Sequence, residues 1–537
     1  MRPSAAVLLA RASPRAFSTA PSPLVSLARS LPHARCPFHG AGCAGAHTSA
    51  PPATDSAFEI AASTIRFGAG ATRELGHDVH ASGAASVLVF TDPSIAALGP
   101  RGPLARALDS LTAAGFSGGA LRVFPRCRVE PTDGSFAEAI AEARAFAPGA
   151  YVAVGGGSVM DTAKAANLYA SHPGASFLDF VNAPVGKGLP VPGPVKPLFA
   201  LPTTAGTGSE TTGVAIFDYR CGPRRAAPPP RPRPPPPPPP PHPAAIPPRS
   251  PLHAKTGIAS RVIKPTLGLV DPDNMASVPP QVAVAAGFDV LCHALESFTA
   301  LPFSQRGPAP ATPAQRPAYQ GANPFSDVWA AQALRLLAKY FVRSVKDRGD
   351  AEAREGMAFA ATAAGVGFGS AGVHLAHGMS YAISGLNRAY CHPGYAAGVK
   401  LVPHGISVCL PAPAIFRRTA AVSPGRHLTA ARLLAGEDAP VAVGMSAGAA
   451  GRGGGGGGGG GGDGAEAGSR LADQLLRYME ALGVPDGLGA LGYSAGDVPA
   501  LVEATLPQRR VLALAPSEES SSREALGELF AASMKVY

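Results

Sequence analysis

Residues Tyr151–Lys164 read YVAVGGGSVMDTAK, a pattern that predicts a short buried strand, a glycine turn and the first turns of a helix. Gly155, Gly156 and Gly157 allow the backbone to come close to a pyrophosphate, and a helix N-terminus offers free N–H groups and a positive dipole end. The spacing is not the Rossmann G-x-G-x-x-G pattern. Taken alone, the motif therefore indicates a phosphate site and a tight structural turn about equally.

A second glycine-rich motif follows the next predicted strand. Residues 202–210 read PTTAGTGSE, so the hydroxyls of Thr203 and Thr204 come directly after the apolar segment Leu198–Leu201. Parallel strands bind ligands at their carboxyl ends, where neighbouring turns meet. Hydroxyls and glycines on two such turns favour a phosphate and ribose site over two coincidental turns.

Short apolar segments and amphipathic segments alternate between residue 55 and about residue 275. The alternation predicts an α/β domain with a parallel sheet. The predicted strands are Val87–Phe90, Tyr151–Val154, Leu198–Leu201 and Leu267–Val270, and the predicted helices are Leu104–Ala114, Phe136–Ala145 and Met160–Ala170. Beyond residue 275 only helical periodicity is found, at Val282–Thr299, Asp327–Phe341, Ala351–Ala364 and Leu471–Leu482.

Two low-complexity segments interrupt this pattern. Pro228–Pro248 is dominated by proline, and Gly453–Gly462 is a run of ten glycines. We interpret both as insertions at loops, either expanded surface loops or translated introns, although a proline-rich rod can also dock on aromatic grooves. The predicted organisation is a leader at 1–54, an α/β domain at 55–275 with an insertion at 221–254, and a helical domain at 276–537 with an insertion at about 446–466.

The formal charge of +10 is confined to two segments. Residues 1–54 carry five arginines and no acid or lysine, and residues 221–254 carry five arginines and no acid. The remaining chain is balanced, which argues against a nucleic-acid-binding face. The arginine- and serine-rich leader is typical of a mitochondrial or chloroplast transit peptide, with a disordered tail as the alternative. The segment RAFST at 15–19 resembles a mitochondrial cleavage site.

Neither a membrane span nor a disulfide framework is predicted. Uninterrupted apolar runs stay below the ~18 residues that a span needs, and the alanine- and glycine-rich Met357–Val373 is better explained as a buried helix. The seven cysteines are odd in number and contain no C-x-x-C pair, which favours a reducing compartment such as the mitochondrial matrix or the cytosol.

Four residues of the helical half are candidate metal ligands. Asp289 and His293 are four residues apart and share one face of a predicted helix, and His377 and His404 lie further along the chain. Three imidazoles and one carboxylate suit Fe²⁺ or Zn²⁺ by ligand type. A lone Asp/His pair is more often a surface hydrogen bond, and Glu296 is either an outer partner of the site or part of a solvated face. Spacing alone does not show that the four residues meet.

The order of these motifs resembles that of the iron-containing (group III) alcohol dehydrogenases. The motifs are GGGSxxDxxK from Gly155, PTTxGTGSE from Pro202, the Asp289/His293 helix, the His377-Gly-Met segment and Pro-His404-Gly. Further segments resemble the mitochondrial hydroxyacid-oxoacid transhydrogenase branch of that family. They read VEPTD at 129–133, TTGVAIFD at 211–218, IKPTLGLVD at 263–271, PAYQG at 317–321 and AASMKVY at 531–537.

The resemblance covers residues 55–537 apart from the two insertions, and it implies a dehydroquinate-synthase-like fold. In that fold an α/β dinucleotide-binding domain and an all-α metal-binding domain enclose the active site. The residues that match the family's metal ligands are Asp289, His293, His377 and His404. The residues that match its nicotinamide-dinucleotide contacts are Asp92, Gly155, Gly156, Gly157, Ser158, Asp161, Thr203 and Thr204.

The resemblance also implies the reaction. Members of the branch oxidise 4-hydroxybutyrate to succinate semialdehyde and reduce 2-oxoglutarate to 2-hydroxyglutarate, with Fe²⁺ or Zn²⁺ and a tightly bound NAD(H). The expected partners are therefore small hydroxyacids and oxoacids, and we expect a homo-oligomer with no nucleic-acid or membrane partner. The alternative is an NAD(P)-dependent iron-containing alcohol dehydrogenase that releases its cofactor.

Two positions depart from the general family pattern. Many group III dehydrogenases have a histidine four residues after the third ligand, where this chain has Tyr381. A proton relay through that position is therefore in doubt. His374 has no counterpart in the family pattern, and we interpret it as a packing residue or an outer partner of the site.

Overall fold

A six-stranded parallel sheet forms the centre of the N-terminal half in the computed structural model, which describes residues 54–55, 57–220, 254–395, 398–441 and 462–537. Nearly all of the predicted leader and of the proline-rich insertion lies outside these ranges, and so do residues 446–461 of the glycine-rich insertion. The strands are β1 (Thr64–Phe67), β2 (Val87–Phe90), β3 (Leu121–Phe124), β4 (Ala150–Gly155), β5 (Leu198–Pro202), β6 (Val214–Tyr219), β7 (Ala254–Ala259) and β8 (Leu267–Val270). The order in the sheet is β1-β8-β5-β4-β2-β3, and every pairing is parallel.

The predicted strands are the central ones of this sheet. β2, β4, β5 and β8 are buried along their whole length, because helices cover both faces of a parallel sheet and select continuous apolar runs. The edge strands β1 and β3 are only partly buried and include exposed residues, so their sequences lack that signal.

β6 and β7 form a separate antiparallel ribbon that the sequence pattern does not predict. Tyr219 pairs with Ala254 at the end of the ribbon, and the proline-rich insertion joins these two residues along the chain. The insertion therefore lengthens the connection of a β-hairpin, a place where added residues leave the register of the paired strands unchanged.

Helices cover the sheet and then build the C-terminal half alone. Those of the first half are α1 (Leu75–Ala81), α2 (Pro93–Ala96), α3 (Pro103–Ala113), α4 (Asp133–Phe146) and α5 (Gly157–Ser171). Those of the second half are α6 (Pro280–Thr299), α7 (Pro324–Lys346), α8 (Ala351–Ala371), α9 (Leu375–Gly385), α10 (His404–Cys409), α11 (Ala412–Thr419), α12 (Pro424–Leu434), α13 (Gly462–Ala481), α14 (Val498–Thr505), α15 (Arg509–Leu512) and α16 (Arg523–Ala532).

The described part of residues 276–537 contains no β-strand, which confirms the predicted all-α half. One boundary differs from expectation. The predicted glycine-rich insertion extends to about residue 466, but α13 already begins at Gly462. The last residues of that segment belong to a helix, because the glycine run ends there and DGAEAGSRLADQL begins.

α6 is the central helix of the second half. It is long and apolar enough to cross a membrane by composition, but 83% of its most apolar stretch is buried inside the protein. The helix packs in one large apolar cluster with α7, α8 and α9. Its hydropathy is therefore explained by its place in the core.

A sharp bend of 103° separates α8 from α9. Gly372 occupies the bend with a φ of +89°, a conformation that favours glycine, and a Cβ there would lie 2.5 Å from Leu514 Cδ1. The bend turns the chain so that the residues of α9 face α6.

Candidate active site

The four candidate metal ligands come together from three helices. α6 carries Asp289 and His293, α9 carries His377, and His404 is the first residue of α10. The Nε2 atoms of His293, His377 and His404 lie 3.7, 3.5 and 3.8 Å from Asp289 Oδ1. The sequence left open whether these residues meet, and the fold brings them to one carboxylate oxygen.

The cluster has the geometry of a cation site. Asp289, His377 and His404 offer ligand atoms that all lie within 4.8 Å of one another. His293 completes the group, with its ring stacked on that of His377 at a centroid distance of 4.6 Å. Three imidazoles and a carboxylate are donors that Fe²⁺ and Zn²⁺ accept.

Unsatisfied buried atoms support this interpretation. Within the described residues, Asp289 Oδ1 and His377 Nε2 are buried without a hydrogen-bond partner, and so are the Nδ1 atoms of His293 and His404. Buried polar atoms without a partner are uncommon in native proteins because each one costs desolvation energy. A divalent cation among the Nε2 atoms and Asp289 Oδ1 would satisfy the convergent ones, so the residues fit the metal that the motifs imply.

Burial and mutual charge set the protonation of the cluster. Burial lowers the pKa of His293 and of His404 to about 3, which keeps both imidazoles neutral as metal ligation requires. Burial alone would raise the pKa of Asp289, but the surrounding histidines hold it below its usual range. Burial opposes a proton on His377, yet Glu296 and Asp289 raise its pKa to about 9. A cation would have to displace that proton.

Glu296 contacts the ring nitrogen of His377 that does not face Asp289. Its side chain is fully buried, which excludes the solvated-face alternative, and Oε2 contacts Nδ1 of His377. Oε1 accepts hydrogen bonds from the backbone N–H groups of His374 (3.1 Å), Ala376 (2.7 Å) and His377 (3.3 Å) at the beginning of α9. One carboxylate thus caps the helix and fixes the ring whose Nε2 faces Asp289, as outer partners of metal-binding histidines do.

His374 is a packing residue that supports Glu296. Its ring is completely buried, with Nε2 at 3.0 Å from Thr299 Oγ1 and Nδ1 at 3.5 Å from Glu296 Oε1. Burial lowers the pKa of His374 to about 4, so the ring stays neutral. This position agrees with the interpretation from the sequence.

Aromatic rings line the cluster on two sides. Phe368 stacks on His293 at 3.9 Å between centroids, and Tyr381 stacks on His404 at 6.1 Å. Burial raises the pKa of Tyr381 to about 12, so its hydroxyl keeps its proton at neutral pH. Tyr381 therefore cannot act as the titrating relay that a histidine at this position would provide.

The two predicted phosphate-binding turns are neighbours. β4 and β5 pair in parallel up to Gly155 and Pro202, so both turns leave the same edge of the sheet. A Cβ on Gly156 would lie 3.2 Å from Thr204 Oγ1, and a Cβ on Gly157 would lie 2.5 Å from Thr207 Cγ2. No side chain caps α5 at Gly156, which leaves its first N–H groups available for an anion. We call these two turns the glycine cradle.

Asp161 points away from the surface of the glycine cradle. Its Oδ1 accepts a hydrogen bond from Ser209 Oγ (2.7 Å), and its Oδ2 accepts one from the backbone N–H of Ile216 (2.9 Å). Lys164 donates from Nζ to Ser209 Oγ (2.6 Å) and to the carbonyl of Val214 (2.9 Å). The Asp and Lys of the motif hold the second turn against α5, and direct contact of Asp161 with a cofactor stays a prediction.

The remaining predicted cofactor contacts lie around the same edge of the sheet. Asp92 follows β2 and caps α2, where Oδ1 accepts from the N–H groups of Ser94 (2.8 Å) and Ile95 (3.0 Å). Ser158 Oγ accepts from the N–H of Glu130 at 3.2 Å. These protein contacts leave the role of Asp92 and Ser158 toward a cofactor as a prediction.

The glycine cradle adjoins the metal-site helices. A Cβ on Gly206 would lie 3.0 Å from the Cβ of Ala286, which is one turn before Asp289 on α6. Gly208, with a φ of +58°, approaches Gly365 of α8 so closely that a Cβ would lie 2.7 Å from its Cα. The turn after β5 is therefore in direct contact with the helix that carries Asp289.

The site and the fold define a class of metal- and dinucleotide-dependent dehydrogenases. Residues 62–222 match the family described as "Iron-containing alcohol dehydrogenase", and residues 318–534 match "Fe-containing alcohol dehydrogenase family, C-terminal". The chain belongs to the iron-containing alcohol dehydrogenase family, as the motifs indicate.

Relatives within that family share about half of their residues with this chain. "Hydroxyacid-oxoacid transhydrogenase, mitochondrial" of Rattus norvegicus is 50% identical over 484 residues, covering 90% of this chain and 91% of the relative. The protein of the same name from Mus musculus is 49% identical over 503 residues, covering 94% and 96%. The solved structure of an iron-containing alcohol dehydrogenase from Thermococcus thioreducens covers 89% of this chain and 99% of its own, with 25% identity and a TM-score of 0.65.

Proposed function

We propose that this chain catalyses hydroxyacid-oxoacid transhydrogenation, moving a hydride from 4-hydroxybutyrate to 2-oxoglutarate. The products are succinate semialdehyde and 2-hydroxyglutarate. The reaction balances without an external oxidant, since the alcohol loses one hydride and one proton and the ketone gains both. Two relatives at about half identity are named hydroxyacid-oxoacid transhydrogenase and match nearly the whole chain.

The observation that carries the proposal is the convergence of three imidazole Nε2 atoms on Asp289 Oδ1 next to the glycine cradle. We assign Asp289, His293, His377 and His404 as the ligands of a divalent cation, Fe²⁺ in the first place and Zn²⁺ as the alternative. When bound there, the cation would supply a Lewis acid for the alcohol or carbonyl oxygen, and a dinucleotide held by the glycine cradle would supply the hydride carrier.

The chain's own residues prepare this chemistry. Glu296 fixes the ring of His377 through Nδ1, and Phe368 fixes the ring of His293 by stacking. His404 is the most exposed of the four, with 24% of its side chain accessible, whereas Asp289 and His377 are nearly inaccessible. A substrate would therefore approach from the side of His404, on whose ring Tyr381 stacks.

The glycine cradle would hold the dinucleotide. Gly156 and Gly157 leave open backbone at the N-terminus of α5, where the helix dipole favours a pyrophosphate, and Thr203 and Thr204 supply hydroxyls one strand away. We assign Asp92 to the adenosine end because it follows the neighbouring strand β2. Retention of NAD(H) through both half-reactions is part of the proposal.

The decisive experiment omits free cofactor. Purified protein loaded with Fe²⁺ is incubated with 4-hydroxybutyrate and 2-oxoglutarate without added NAD, and 2-hydroxyglutarate is measured. We expect one equivalent of 2-hydroxyglutarate for each succinate semialdehyde over many turnovers. If product forms only when NAD is supplied and NADH accumulates, the protein is instead a cofactor-releasing alcohol dehydrogenase.

We place the enzyme in the mitochondrial matrix. The relatives are named mitochondrial, and the arginine-rich leader has the composition of a transit peptide. The described cysteines Cys127, Cys292, Cys391 and Cys409 are all free thiols, as a reducing compartment permits. Small hydroxyacids and oxoacids are the partners in this proposal, with self-assembly into a homo-oligomer.

A further inference from the structure

Arg510 lies beside the candidate active site without an assigned role. It is the second residue of α15, which packs on α9, since a Cβ on Gly378 would lie 3.0 Å from Leu512 Cδ2. The guanidinium carbon is 4.5 Å from the centre of the Tyr319 ring. The group also interacts with Tyr381, the residue that stacks on His404.

Two series of aromatic contacts connect Arg510 with the histidines of the Asp289 cluster. On one side Tyr381 separates it from His404. On the other side the ring centroids of Tyr319 and Phe368 are 6.4 Å apart, and Phe368 stacks on His293 with 3.9 Å between centroids. Two series of ring contacts therefore link the guanidinium of Arg510 to the cluster around Asp289.

Within the part of the chain that the structure describes, Arg510 has no counter-ion. The charged and polar groups that act on it are the hydroxyls of Tyr319 and Tyr381, and its Nη1 is buried without a hydrogen-bond partner. Lys255, whose charge acts on His404, is already paired with Glu130, with Asp218 at 4.0 Å. A buried guanidinium without a carboxylate is costly, so this one is suited to receive an anionic ligand.

The two substrates of the proposed function present the same anionic group. In 4-hydroxybutyrate two methylene groups separate the reacting carbon from the carboxylate, and in 2-oxoglutarate two methylene groups separate the reacting carbon from the distal carboxylate. One cation at a fixed distance from the metal site would therefore serve both half-reactions, and arginine binds carboxylates in a planar, two-pronged geometry.

We propose that Arg510 binds this shared carboxylate and thereby selects substrates by the spacing between the carboxylate and the reacting carbon. The inference rests on the proposed transhydrogenation. Arg510 is a substrate-binding residue in this scheme, while Tyr319 and Tyr381 are positioning residues that hold its planar group.

The test compares Arg510→Gln with Arg509→Gln, a matched change at the adjacent exposed arginine. Reduction of the enzyme-bound nicotinamide is followed with 4-hydroxybutyrate and, separately, with its uncharged amide, 4-hydroxybutanamide. For Arg510→Gln we expect the half-saturating concentration of 4-hydroxybutyrate to rise on the order of 100-fold, and that of the amide to change less than about twofold. Equal losses with both donors, or no loss with either, overturn the proposal.

A binding measurement separates this inference from the proposed function. Glutarate, an unreactive dicarboxylate, should raise the melting temperature of the wild type and of Arg509→Gln but not of Arg510→Gln. If the wild type makes no 2-hydroxyglutarate and the glutarate shift still requires Arg510, the carboxylate site stands and the transhydrogenase proposal fails. If transhydrogenation proceeds and Arg510→Gln keeps wild-type kinetics and glutarate binding, the assignment of Arg510 is wrong.

Discussion

Two buried polar clusters in this protein differ in whether their polar atoms have hydrogen-bond partners. The Lys164 cluster (Asp161, Lys164, Ser209, Glu210 and Thr362) joins the glycine cradle to α8, and the Asp289 cluster (Asp289, His293, His377 and His404) lies on α6, α9 and α10. In the Lys164 cluster no buried side-chain polar atom lacks a partner, whereas the Asp289 cluster leaves one such atom on each of its four residues.

The difference separates structure from binding. A buried polar network that satisfies itself fixes the conformation of the chain. A buried network in which unsatisfied atoms face one another, as Asp289 Oδ1 and His377 Nε2 do at 3.5 Å, needs a ligand between them. Both clusters include residues that the family resemblance assigns to binding, a cofactor contact in the Lys164 cluster and metal ligands in the Asp289 cluster. The hydrogen bonds distinguish residues that stabilise the site from residues that are available to bind a metal.

The largest effect is expected from Asp289→Asn. This change keeps the shape of the side chain and removes the charge on which three imidazoles converge. Transhydrogenase activity should fall by at least about 10³-fold, because the Lewis acid contributes several kcal/mol. Iron content by metal analysis should fall in parallel. The exposed Asp473→Asn serves as the control, and full metal content in Asp289→Asn would remove that residue from the ligand set.

Lys164→Met is expected to disrupt the Lys164 cluster, and it should lower the stability of the protein without lowering its metal content. The change leaves the buried Asp161 without its cation and removes two hydrogen bonds, so the free energy of unfolding should fall by about 3 kcal/mol in denaturant titration. Metal content of the folded protein should stay at the wild-type level. Lys187→Met, at an exposed ion pair, should change stability by less than about 1 kcal/mol. Loss of metal together with stability would show that the two clusters are one unit.

Glu296→Gln tests the support of the metal site. Without the carboxylate, His377 loses the group that orients its ring. It also loses the acceptor that favours a proton on Nδ1 and so leaves Nε2 free to bind a metal. We expect metal affinity to fall by about 10- to 100-fold, as for other outer partners of metal-binding histidines. Competitive titration with a chelator measures the change, and Glu528→Gln on the surface is the matched control. An affinity unchanged within about twofold would reduce Glu296 to a helix cap.

The smallest expected effect is a pH dependence of the free energy of unfolding that arises from the Lys164 cluster. Burial lowers the pKa of Lys164 from 10.5 to about 8, so between these values the unfolded chain binds more protons than the folded one. The free energy of unfolding should therefore rise with pH in this window, with a slope below about 1.4 kcal/mol per pH unit from this group. The rise should be absent in Lys164→Met. A wild-type minus variant difference that is flat from pH 8 to 10.5 contradicts the shift.

The fold was predictable wherever burial imposed a periodic pattern. The central strands β2 and β8 have the predicted bounds, and α3, α4 and α5 agree with prediction within three residues. The edge strands β1 and β3 and the ribbon of β6 and β7 escaped detection, since partly exposed strands lack continuous apolar runs.

The candidate site was predictable as a set of residues but not as an arrangement. Asp289 and His293 share a helix face by spacing alone, while His377 and His404 reach them only through the bend at Gly372 and the packing of α10 on α6. The sequence likewise left Glu296 between two interpretations. A glutamate on a helix carries no local sign of what packs against it.

The amino-acid sequence by itself determined the family, the α/β and all-α halves, the four metal-ligand candidates and the two candidate phosphate-binding turns, because local patterns and ordered motifs specify them. Only the tertiary structure decided that Asp161 faces inward, that Glu296 contacts His377, and that Arg510 lies beside Tyr381 with no counter-ion among the described residues. Charge compensation and hydrogen bonding of buried groups depend on partners far apart in the chain, and those partners meet only when the helices and the sheet have packed.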